Sequence, residues 1–120
     1  MLRLWLPVLA YMAMLFVFSS RPTTPRLPEA ISYYYVHVGA YAGLGLLTAR
    51  ALARGLRRVS PAAFWGAVVI SFLYGVSDEF HQTFVPGRMF DVLDIAADAI
   101  CSVVGAGAAA AWGIITRRRQ

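Results

Sequence analysis

Four apolar runs occupy most of this chain: Leu4 to Ser19, Ile31 to Leu52, Pro61 to about Phe80, and Val92 to Ile115. A hydrocarbon core about 30 Å thick takes about 20 helical residues to cross, and each run approaches that length. Backbone polar groups in lipid must be satisfied within their own segment or in a closed barrel, and no run alternates with period two, so each run is expected to be a helix. With 59% of the 120 residues hydrophobic and only 14% charged, the composition exceeds that of an ordinary soluble domain. The expected fold class is all-α: a polytopic membrane protein, a compact four-transmembrane-helix bundle forming one domain over residues 1–120.

The charges are confined to the gaps. All eleven basic residues are arginine, giving a formal charge of +5. Arginines between apolar runs differ from a basic stripe on a soluble module, which argues against nucleic acid as a partner. Arg3, Arg50, Arg54, Arg57, Arg58 and Arg117 to Arg119 fall on one side, against Arg21, Arg26 and Arg88 on the other. The positive-inside rule then places both termini in the cytoplasm and the turn near Pro86 outside. The first run has Arg3 ahead of it and no small-x-small motif after it, so it reads as a retained helix and not as a signal peptide.

The prolines of Arg21 to Glu29 predict an extended strap, and Tyr33, Tyr34 and Tyr35 an interfacial aromatic anchor. The single Cys101 excludes a disulfide framework. Ala97, Cys101, Gly105, Ala109 and Gly113 recur every four residues in the last run, and Gly39 and Gly43 lie in the second, so both can present a small-residue stripe to a neighbour.

One stretch departs from this apolar pattern. Ser77 to Asp98 holds Asp78, Glu79, Asp91, Asp94 and Asp98, five of the six acidic residues, together with His81 and Arg88. An ionised group in hydrocarbon costs about 2.5 to 3.5 kcal/mol or more unless paired or wetted, so such residues mark function by default. At helical spacing Asp78, His81 and Gln82 form one patch, Asp91, Asp94 and Asp98 a second, and Tyr34, His37 and Tyr41 a third. Asp78 and Glu79 also suit a solvated helix end, Asp91 an N-cap, and Asp94 and Asp98 a structural pairing with Arg88 or His37. Pro86-Gly87 signals a turn.

The order Ser19-Ser20-x-Pro22, His37 with Tyr41, and then Asp78-Glu79-x-His81-Gln82-x-Phe84-x-Pro86-Gly87-Arg88 followed by Asp94 resembles the VanZ-like family of small bacterial membrane proteins, over roughly Leu9 to Gly105. The resemblance implies a multi-pass membrane protein associated with resistance to teicoplanin, a lipid-tailed glycopeptide. It picks out Ser20, His37, Asp78, Glu79, Gln82, Arg88 and Asp94. Two departures stand out: Asp98 where members often carry Asn, and Tyr33-Tyr34 in place of an acidic-basic pair.

Three functions remain open on this reading. The first is a cell-envelope factor binding a lipid headgroup, a lipid-linked cell-wall precursor or a glycopeptide through Ser20, His37, Tyr41, Asp78, Glu79, Gln82, Arg88, Asp94 and Asp98. The second is a membrane-interface hydrolase or transferase, with Asp78, Glu79, His81 and Asp94 as candidate acids and bases. The third is a small proton-coupled transporter. No cofactor is expected. Asp78, His81 and Asp94 offer oxygen and nitrogen ligands to a divalent cation, but the H-E-x-x-H zinc signature is absent. Membrane lipids are the expected partners, and a homo-oligomer is compatible with the sequence.

Overall fold

In a computed structural model the chain is described over residues 1–22 and 33–118, without the side chains of Tyr33, Tyr34, Val36 and His37. The strap beyond Pro22 and the start of the second run therefore lie outside the described residues. Within them the chain forms four helices and no strand: α1 Leu2–Ser19, α2 Tyr33–Leu52, α3 Pro61–Gln82 and α4 Val92–Arg118. α1, α3 and α4 are long and apolar enough to cross a membrane, and the described apolar stretch of α2 is Val38–Leu52.

Local signals set the boundaries. Ser60 caps α3 by accepting from the Ala63 backbone N–H at 3.1 Å, with Pro61 at the first helical position. α2 ends in a Schellman arrangement: Gly55 N–H bonds to Arg50 C=O at 2.9 Å and Arg54 N–H to Ala51 C=O at 3.2 Å. Arg54 occupies the left-handed position there, at φ 56°. Beyond α3, Arg88 N–H closes on Val85 C=O at 3.1 Å, with Gly87 at φ 80° in the third position. That is a type II turn, for which Pro86-Gly87 supplies the preferred residues. Asp91 Oδ1 then accepts from Leu93 N–H at 2.8 Å, making Asp91 the cap of α4.

α4 lies against α2 and α3, while α1 packs on α2 and touches α3 only slightly. Lipid tails are as apolar as Leu, so close packing has to supply what hydrophobic burial supplies in water. α2 and α4 approach backbone to backbone: a Cβ on Gly105 would collide with Ala42 C=O, and one on Gly45 with Ser102 C=O. Cys101, Gly105, Ala109 and Gly113 of the expected stripe are buried. On α2, Gly43 of the expected pair does face a neighbour, meeting Tyr11 of α1, whereas Gly39 has open space around it, and Gly45 is the residue that admits α4. The remaining interior is small-residue packing around Val8, Leu44, Ala49, Ala67 and Ala106, all fully buried.

The outer surfaces are apolar, with Trp65, Leu73, Val104 and Trp112 all exposed, as suits lipid. Gly113 near the end of α4 abuts the Leu56 and Arg57 carbonyls of the α2–α3 link, and Ser19 at the end of α1 reaches Gln82 at the end of α3. The helices thus alternate in direction. The arginine-rich link, the start of α1 and the end of α4 share one end of the bundle, and the acidic stretch occupies the other.

Candidate functional site

The last turn of α3 carries the centre of the site. Asp78 and Glu79 lie three and four residues after Gly75 and so share its face. A Cβ on Gly75 would sit 3.3 Å from Asp98 Oδ2 and 3.4 Å from Tyr41 Cε1. The missing side chain lets Asp98 of α4 and Tyr41 of α2 meet over α3. Asp98 and Glu79 are each only 1% exposed, Tyr41 2% and Gln82 4%. Carboxylates this deep require hydrogen bonds or a compensating charge.

A hydrogen-bonded chain links three helices. Gln82 Nε2 donates to Ser19 Oγ of α1 at 3.0 Å and, at 3.5 Å, to Asp78 Oδ2, which also lies 3.5 Å from the Tyr41 hydroxyl of α2. The fourth helix joins through Glu79, whose Oε2 accepts from the Asp91 backbone N–H at 3.1 Å. The other oxygen of Glu79, Oε1, is buried with no hydrogen-bond partner among the described residues. Asp78, Asp94 and Asp98 all act electrostatically on Glu79. Asp94 is half-buried and Asp91 exposed, so the carboxylates run inward from the surface along the first turns of α4.

His81 faces away from this chain and toward α1. Its Nε2 lies 3.0 Å from Ser20 Oγ, and its ring lies 4.5 Å from that of Phe16. A Ser–His contact invites comparison with an activated nucleophile, in which the imidazole accepts the hydroxyl proton. Ser20 Oγ is also within hydrogen-bond reach of Phe16 C=O at 2.7 Å, and the direction of its contact with His81 is set by the imidazole tautomer; either way the contact fastens α3 to α1. Arg88 reaches across the same gap to Arg21 C=O at 3.4 Å. With His81 turned to Ser20 and Asp78 to Gln82 and Tyr41, no group of three or more His, Cys, Asp or Glu among the described residues is arranged to hold a metal ion.

Ser20, Tyr41, Asp78, Glu79, His81, Gln82, Arg88, Asp94 and Asp98 thus gather at one end of the bundle, and the side chain of His37 lies outside the described structure. Three contributors lie outside the candidate site residues named from the sequence. Ser19, not only Ser20, ties α1 to the site. Gly75 admits Asp98, a role legible from a glycine one turn before paired carboxylates. Tyr74 anchors α3 to α1 through its hydroxyl bond to Met12 C=O at 2.6 Å.

A family model described as VanZ/LLP1 matches residues 4–115, which takes in all four helices and every residue of this cluster. The chain belongs to the VanZ/LLP1 family. No curated protein and no solved structure matches it. As a VanZ/LLP1 protein it is a membrane protein whose described acidic residues are collected at one end of an otherwise apolar bundle.

Proposed function

We propose that this VanZ/LLP1 protein is a cell-envelope binding factor that holds a lipid headgroup or lipid-linked cell-wall precursor at the membrane surface, and through it alters access of a teicoplanin-type glycopeptide. The observation that carries the reading is the chain Ser19–Gln82–Asp78–Tyr41 together with Glu79–Asp91, which draws polar groups from all four helices into one cluster. Around it Phe80, Phe84, Met89 and Phe90 are exposed, an apolar rim suited to acyl chains. Arg88 stands at that rim, where a guanidinium suits a phosphate. The arginine distribution assigns this end to the outer face of a bacterial cytoplasmic membrane.

The binding reading is favoured over catalysis because the Ser20 hydroxyl beside His81 already has a backbone acceptor in Phe16 C=O. The test is retention of a lipid-linked precursor or phospholipid by purified protein. Arg88→Ala should reduce retention about tenfold, the weight of one charge-assisted phosphate contact. Unchanged retention would remove the clamp from the account.

A further inference from the structure

We propose that the site selects a primary ammonium group, so that the headgroup it holds is zwitterionic with a free amine. This rests on the binding reading above and names the ligand class.

The observation is the buried, unpartnered Oε1 of Glu79. The nearby donors among the described residues face other acceptors. Gln82 Nε2 is taken by Ser19 and Asp78, the Tyr41 hydroxyl points to Asp78, and the Asp91 N–H is held by the other oxygen of Glu79. Asp78, Asp94 and Asp98 add negative potential at the same place. A buried acceptor in a field of carboxylates calls for a cation that donates hydrogen bonds.

The ligand geometry selects among cations. A divalent metal needs several convergent ligands, which the described residues do not form. An ammonium carries three N–H donors and is satisfied by one or two carboxylates. Half-buried Asp94 is open to the surface and acts electrostatically on Glu79. Arg88 lies on the same rim, so one headgroup can place its phosphate against the guanidinium and its amine against Glu79 and Asp94. A trimethylated amine has the same charge but no N–H to donate.

The test uses the full chain in nanodiscs of equal phosphatidylethanolamine, phosphatidylcholine and phosphatidylglycerol. Lipids retained after detergent extraction are quantified by mass spectrometry. Phosphatidylethanolamine should be enriched about fivefold over phosphatidylcholine, the worth of a partly buried ionic hydrogen bond. Glu79→Gln and Asp94→Asn should each bring that ratio close to one, and Asp94, being half-buried, gives a variant that does not disturb the core. A parallel arm adds soluble ethanolamine. Displacement of the retained lipid supports amine recognition independent of the acyl chains, and resistance to displacement supports recognition of the whole lipid. Equal retention of the three lipids, enrichment of phosphatidylglycerol, or a ratio unchanged in both variants overturns the ammonium assignment and leaves the headgroup reading standing. Retention of no lipid removes both.

Discussion

The backbone N–H of Asp91 donates to Glu79 Oε2 at 3.1 Å, so a buried carboxylate at the end of α3 holds the first residue before α4 across the type II turn at Pro86-Gly87. The bond fixes both partners at once. Glu79 gains a donor in an apolar setting, and Asp91 is placed to cap α4 through Leu93 N–H.

Substitution at Glu79 should separate stability from ligand selection. Glu79→Ala leaves the Asp91 N–H without its acceptor and should cost about 1 to 3 kcal/mol. Glu79→Gln can keep that acceptor while turning an amide N–H₂ toward the neighbouring carboxylates, so it should match or exceed wild-type stability. Unfolding in detergent, followed by circular dichroism, measures both. A destabilised Glu79→Gln would contradict the reading that Oε1 lacks a donor.

Asp91 should behave as a cap and not as a buried charge. Asp91→Ala should destabilise by about 1 kcal/mol, while Asp91→Asn, which retains a side-chain oxygen for Leu93 N–H, should cost only a few tenths. Equal losses in the two variants would mean that the charge, and not the cap, is what matters.

The crossing of α2 and α4 should tolerate no side chain. Gly105→Ala drives a Cβ into Ala42 C=O and should cost about 1 to 3 kcal/mol or more, because backbone must shift to relieve it. Gly39→Ala meets nothing within 4 Å and should be neutral or stabilising by up to about 1 kcal/mol. The same unfolding assay compares them.

Arg54 pays the steric cost of the left-handed conformation at φ 56°. Arg54→Gly should therefore stabilise the end of α2 by up to about 1 kcal/mol. A loss of stability would indicate that the arginine side chain contributes more than its backbone strain removes.

Much of this was legible in the sequence because the signals are local. Apolar runs locate helices, Pro86-Gly87 specifies the turn, and an aspartate just before an apolar run caps it. The acidic residues are equally conspicuous, since few reasons exist to place them between lipid-spanning segments. What the sequence withheld was direction around each helix axis. Gly39, Gly43 and Gly45 are equally small, but only Gly45 faces α4, because the α2–α4 crossing selects the face. His81 lies three residues from Asp78 and was grouped with it, yet it turns to Ser20 and Phe16 because α1 approaches that side of α3. Asp78, His81 and Asp94 are not gathered into one group among the described residues for the same reason: spacing on one helix does not fix what the next helix offers.

The account depends most on the ends of α1 and α3 meeting in one connected polar cluster, and the Ser19–Gln82 hydrogen bond at 3.0 Å is its most direct expression. A double-mutant cycle with Ser19→Ala and Gln82→Ala, measured by unfolding in lipid-like detergent, isolates that contact. A coupling energy of about 0.5 to 1.5 kcal/mol is expected for a buried side-chain pair. Strict additivity of the two substitutions would show that α1 and α3 do not share the site, and would contradict the cluster on which the proposed function stands.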